Sequence, residues 1–142
     1  MWPVENLRTY LSGSWRLDRA IVDHLLSSTG TMHGAAQFNA YGNSLINEER
    51  GTLSFGAHEG LAEQTYSYDF SSSDGRALVR FRDGRPFHEL DLSAGETIVR
   101  HPCEPDRYEG RFTAFDENHW QSDWTIVGPR KNLTIVTLYT RP

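Results

Sequence analysis

Residues 73–92 read Ser73-Asp74-Gly75-Arg76-Ala77-Leu78-Val79-Arg80-Phe81-Arg82-Asp83-Gly84-Arg85-Pro86-Phe87-His88-Glu89-Leu90-Asp91-Leu92. Two Asp-Gly pairs set off short segments in which apolar and polar residues alternate. An Asp-Gly pair accepts the positive φ of a type I′ turn, so Asp74-Gly75 and Asp83-Gly84 are both expected to close β-hairpins. Tyr41-Gly42-Asn43 and Ala94-Gly95 are weaker versions of the same signal.

The pattern extends outward in both directions. Segments rich in Thr, Tyr, Phe, Val and Trp, with period-two alternation and turn residues between them, predict strands at 13–23, 30–40, 43–54, 64–71, 76–83, 86–92, 96–102, 106–115, 119–127 and 132–141. Before them, Val4, Leu7 and Leu11 fall at helical spacing behind Pro3, and Ser12-Gly13 supplies a stop, which predicts one short amphipathic helix. Strands joined by tight turns are sequential and antiparallel. About ten of them in an open sheet would curl or split, so closure into a single up-and-down antiparallel β-barrel removes the exposed edges most simply. A two-sheet sandwich is the alternative. The expected organisation is one domain spanning residues 1–142.

Gly13-Ser14-Trp15 at the start of the first strand, behind a short helix, resembles the Gly-x-Trp signature of the lipocalins (calycin superfamily). In that family the Trp plugs the barrel base, and an Arg near the end of the last strand stacks across it. The chain ends Leu138-Tyr139-Thr140-Arg141-Pro142, so the resemblance assigns that partner role to Arg141. A guanidinium over an indole face gains a cation–π term while its donors satisfy carbonyls at the barrel end. Four further stretches resemble an uncharacterised microbial family of lipocalin-like domains: Asp83-Gly84-Arg85-Pro86-Phe87-His88, His101-Pro102-Cys103, Asp106-x-Tyr108-x-Gly110, and Trp120-x-x-x-Trp124 through Gly128-Pro129-Arg130-Lys131. That resemblance implies a fold and no activity. With neither a signal peptide nor a disulfide, the chain looks closer to fatty-acid-binding and nitrobindin-like barrels than to secreted lipocalins.

Composition narrows the partners. A net charge of −5 lacks the basic footprint of a general nucleic-acid binder. No window approaches the length of a membrane-spanning helix, and the lone Cys103 forms no internal disulfide, so a cytoplasmic location is expected. Gly128-Pro129-Arg130-Lys131-Asn132 lacks the phosphate-loop pattern and reads as a hairpin turn. His101-x-Cys103 with His88 or Asp106 offers zinc-type donors without a four-ligand spacing, so no metal is expected. Noncovalent haem on a lumen His remains a minor option, and no other cofactor is expected.

Alternate residues of a barrel strand face inward. Taking Trp15 inward brings Leu17, Arg19 and Ile21 with it. The matching sets are Met32, Gly34, Ala36 and Phe38; Tyr66, Tyr68 and Phe70; His88, Leu90 and Leu92; Val99, His101 and Cys103; Tyr108, Gly110 and Phe112; and Trp120, Ser122 and Trp124. The expected lumen is aromatic, with polar tips from Arg19, Tyr66, Tyr68, His88, His101 and Tyr108. Arg19 either binds a ligand carboxylate or phosphate or pairs with Glu48 across the barrel.

This pattern fits a binding protein for a small, partly apolar ligand with a polar or anionic end, contacted by Arg19, Tyr66, Tyr68, His88, His101, Tyr108, Trp120 and Trp124. The rival is a cofactor-independent isomerase, lyase or decarboxylase. There His88 or His101 moves a proton, and Tyr108 or Arg19 stabilises negative charge. A third reading fills the lumen with side chains and leaves the outside for dimer formation, so monomer and homodimer both stay open.

Overall fold

Asn6 accepts a hydrogen bond from the Thr9 N–H and opens helix α1 (Leu7–Leu11), which buries Leu7 and Leu11. The computed structural model describes residues 1–142 and follows α1 with ten strands. These are β1 (Gly13–Asp23), β2 (Ser28–Tyr41), β3 (Ser44–Phe55), β4 (His58–Ser73), β5 (Arg76–Phe81), β6 (Pro86–Asp91), β7 (Glu96–Cys103), β8 (Asp106–Asp116), β9 (His119–Gly128) and β10 (Lys131–Thr140). All ten expected strands are present, and every pairing is antiparallel. The sheet order is β6-β5-β4-β3-β2-β1-β10-β9-β8-β7. The result is an all-β, up-and-down barrel, closed except between β6 and β7, which share no ladder. No helix is long and apolar enough to cross a membrane.

The N-terminal residues differ from the expectation. The helix does not begin behind Pro3, because the preceding chain is extended and hydrogen-bonded elsewhere. The Trp2 N–H donates to the Ala114 carbonyl and the Val4 N–H to the Leu92 carbonyl, at 2.8 and 2.9 Å. Residues 2–4 thereby strap the base of the β6–β7 seam, and Val4 is buried there.

Two turns also depart from type I′. Neither Asp74 nor Gly75 has positive φ. This turn is shaped by tertiary contact: the Arg8 N–H donates to the Asp74 carbonyl, and Gly75 lies against the Glu5 carbonyl. Beyond β5 the loop is Arg82-Asp83-Gly84. Gly84 N–H bonds the Phe81 carbonyl, Phe81 N–H bonds the Arg85 carbonyl, and only Gly84 is left-handed, as in a three-residue loop ending in a bulge. β4 starts six residues earlier than expected, after a Gly56-Ala57 turn.

The expected inward parity holds through the core. Trp15, Leu17, Met32, Ala36, Phe38, Tyr68, Phe70, Leu90, Phe112 and Trp120 join one buried cluster with Leu7 and Leu11 of α1. Helix α1 and the strap therefore close one end, the base, where Arg141 sits 3.7 Å over the Trp15 ring. Its Nη1 and Nη2 donate to the Ser14 and Tyr10 carbonyls at 3.0 and 2.6 Å. Above the base Gly34 of β2 pairs with Gly51 of β3. A Cβ on either would collide with the opposite strand, at the Arg50 carbonyl for Gly34 and the His33 carbonyl for Gly51. Glycine at both positions lets the two backbones approach this closely.

Candidate functional site

Above the Trp15 layer the inward side chains stop filling the barrel, leaving a cavity of about 320 Å³ lined by 23 residues, 15 of them hydrophobic. Ile21, Leu53, Ile126 and Ile135 line it toward the end away from α1, while Trp120 and Tyr139 floor it. Those two rings stack at 3.8 Å with their planes 5° apart. Trp120 also packs edge-on against Trp15, which carries the base into the lumen floor. The Trp120 indole N–H is buried and has no hydrogen-bond partner. One wall is aromatic: Phe87 stacks on Trp124 at 4.9 Å and on Phe81 at 4.4 Å, with Tyr66 beside it. Gly110 makes that wall possible, since a Cβ there would lie 2.9 Å from the Trp124 ring.

Of the residues singled out from sequence, Arg19, Tyr66, Tyr68, His88, Tyr108, Trp120 and Trp124 all line this one cavity. His101 does not. Its ring packs edge-on against Phe81, Phe87 and Tyr108 at the upper seam, and Phe87 touches both histidines. The expectation of two imidazoles facing a common space is corrected accordingly. Cys103, two residues along β7 from His101, is a free, exposed thiol. At the β9–β10 hairpin Lys131 pairs with Asp106 at 3.5 Å.

Arg19 pairs with Glu49, not Glu48. Residues of β3 alternate, and Glu49 shares its parity with buried Leu45 and Asn47, whereas Glu48 faces outward and is exposed. The Arg19 Nη2 donates to Glu49 Oε1 at 2.7 Å, and its Nε donates to the Thr137 hydroxyl at 2.8 Å. The Tyr139 hydroxyl donates to Glu49 Oε2 at 2.6 Å. Glu49 is only 3 % exposed, so each of its oxygens needs these donors. Burial, reinforced by the Glu49 charge, pushes the Tyr139 hydroxyl well above its ordinary range and keeps it a donor. Asn47, Glu49, Thr137 and Tyr139 were missed from sequence. The available signal was the parity running from Leu45 through Glu49 to Leu53.

His88 is 7 % exposed and makes one hydrogen bond, between Nδ1 and the Glu89 carbonyl at 3.2 Å. Burial pushes its pKa from 6.5 down to about 4; the Glu89 contact opposes this and His101 adds to it. The folded value lies below the unfolded one, so between pH 6.5 and 4 the unfolded chain binds more protons. The stabilising contribution is therefore complete above pH 6.5 and is lost as pH falls toward 4, by roughly 3 kcal/mol in all. Urea midpoints at pH 7 and pH 5 should show roughly 2 kcal/mol of this loss, and His88→Phe should remove it. An equal loss in the variant would exclude His88 as the source.

Solved structures with similar folds include the S-type phycobiliprotein lyase CPES from Guillardia theta. It matches with a TM-score of 0.72 at 10% sequence identity, over 99% of this chain and 93% of that one. A designed barrel, EF1p2_mFAP2b bound to DFHBI, matches with a TM-score of 0.54 at 10% identity over 97% and 98%. A fluorescence-activating β-barrel designed de novo gives 0.51 at 10% identity over 97% and 100%. At these identities the likeness is one of fold. No curated protein matches the sequence. Residues 11–141 match a family model described as "Family of unknown function (DUF6314)".

Proposed function

The chain belongs to the DUF6314 family, and we propose that it binds a small, partly apolar ligand with a polar end inside the barrel. The observation that carries this reading is the cavity itself: about 320 Å³, apolar over most of its lining, with a few polar side chains among the apolar ones. That combination is what small-ligand sites use, apolar walls for affinity and placed donors for orientation. Trp120, Trp124 and Tyr108 serve as walls, Tyr66, Tyr68 and His88 orient the polar end, and Arg19, held by Glu49 and Thr137, lines the wall. His101 acts from behind Phe87 by positioning that ring. The fold is compatible with such a role, since a structurally similar barrel is bound to DFHBI.

Binding is favoured over proton transfer by the partners of His88. A catalytic imidazole is usually oriented and charge-stabilised by a carboxylate. The single hydrogen bond of His88 goes to a carbonyl, and the buried carboxylate, Glu49, is already engaged by Arg19 and Tyr139. The Arg19 guanidinium is likewise committed to Glu49 and Thr137.

A fluorescent probe tests the reading. N-phenyl-1-naphthylamine, an uncharged apolar aromatic amine, should bind saturably with one molecule per chain. Ala62→Trp, which places an indole in the upper lumen from half-buried β4, should weaken that binding by about tenfold or more, with the fold retained by circular dichroism. Absence of saturable binding, or binding untouched by Ala62→Trp, would remove the lumen as the site.

A further inference from the structure

We infer that the lumen accepts an uncharged ligand and turns anionic ones away, and that Glu49 sets this selectivity by occupying the guanidinium of Arg19. The inference rests on the lumen being the binding site and adds the chemical class of what enters it.

An arginine facing an apolar pocket ordinarily marks a carboxylate or phosphate subsite, because its planar donors match those anions. In this lumen the anion is supplied by the protein. Glu49 stands on β3 opposite Ala36 of β2, and its carboxylate accepts from Arg19 on one oxygen and from Tyr139 on the other. Thr137 takes a third donor of the pair, and Met32 lies 3.6 Å from the remaining guanidinium nitrogen. The two charges cancel inside the wall. The other carboxylate at the cavity edge, Glu63, is exposed and pairs with exposed Arg50 on the outside.

An incoming anion then has two options, and both are unfavourable. It can displace Glu49 from Arg19, leaving a buried carboxylate without its counter-charge, or it can lie beside Glu49 as a second negative charge in an apolar space. A neutral ligand meets neither penalty. Tyr66, Tyr68 and His88 line the cavity with neutral hydrogen-bonding groups. A carbonyl, ether or heteroaromatic nitrogen can accept from a tyrosine hydroxyl, and no charge is required. The stacked Phe87 and Trp124 wall suits a flat, aromatic or conjugated body. The ligand class is therefore a neutral, planar molecule carrying a hydrogen-bond acceptor.

A matched probe pair separates the possibilities. N-phenyl-1-naphthylamine and 8-anilino-1-naphthalenesulfonate share one skeleton and differ by a sulfonate. The native chain should bind the neutral probe at least about 100-fold more tightly than the sulfonate. In Glu49→Gln, which frees Arg19, the sulfonate-to-neutral affinity ratio should rise about tenfold or more. In Arg19→Met/Glu49→Gln, where no cation remains, the ratio should stay at the native level. Comparable affinities for the two probes in the native chain overturn the inference, as does a ratio that Glu49→Gln leaves unmoved or that rises equally in the double variant. The native comparison decides the matter even if Glu49→Gln fails to fold. Failure of both probes to bind the native chain overturns the underlying binding reading instead.

Discussion

Trp15→Ala should destabilise the protein by about 4 kcal/mol and lower its melting temperature by roughly 15 °C, the largest effect of any single truncation at the barrel base. Trp15 is buried beneath the lumen and makes three kinds of contact at once. Its indole N–H donates to the Leu11 carbonyl at 2.8 Å, tying α1 to β1. Its ring packs against Tyr10 and Trp120 at centroid distances of 5.7 and 6.2 Å. Its outer face carries the Arg141 guanidinium. Truncation opens a cavity below the floor and leaves Arg141 stacked on nothing. Arg141→Lys should lose less, yet still about 1 kcal/mol, because an ammonium cannot reach the Ser14 and Tyr10 carbonyls as the planar fork does. Chemical denaturation of the two variants measures both values. A loss under about 1 kcal/mol for Trp15→Ala would mean that the base is held by the strap and helix alone.

Glu49→Ala should cost about 3–5 kcal/mol, the usual consequence of stranding one member of a buried ion pair. Arg19 would keep Thr137 and lose its counter-charge, and the Tyr139 hydroxyl would lose its acceptor. The informative comparison is Arg19→Met/Glu49→Leu. Removing both charges together avoids the unpaired guanidinium, so the double variant should be markedly more stable than Glu49→Ala. Equilibrium unfolding in urea reads both. If the double variant is as unstable as the single one, the pair contributes through packing, and the charge argument fails.

Sequence legibility followed the strength of the alternation. The ten strands and the inward parity of Trp15, Tyr68, His88 and Trp124 were readable because large apolar residues recur at every second position. The Trp15 and Arg141 pair was expected from the resemblance of Gly13-Ser14-Trp15 and the terminal Arg141 to the lipocalin signature, and the cation–π contact is present. The early part of β4 was not, since its outward Leu61 is 83% exposed while Gly60 and Ala62 take the inner parity. That arrangement inverts the pattern a strand normally shows. The Asp74-Gly75 turn was misjudged in type because contacts with Glu5 and Arg8, distant in sequence, decide its backbone. Glu49 escaped for the same reason that it matters. A carboxylate at an inward position looks like a solvent-facing one until its partners on β1 and β10 are known.

The missing ladder between β6 and β7 divides the sheet into two sequential meanders, β1 to β6 and β7 to β10. Covalently they meet only at the Leu92–Gly95 turn. Their hydrogen-bonded junction is elsewhere, in the full-length pairing of β1 with β10, fastened by Arg141 across Trp15. Backbone continuity and sheet continuity thus lie at different joints, and the first can be cut without touching the second. Opening the chain between Ser93 and Ala94 would leave two fragments that retain complementary edges, one ending in six strands and the other in four. Such a pair has the design of a split reporter: association of the halves would rebuild the lumen, and occupancy of the lumen would signal that they had met.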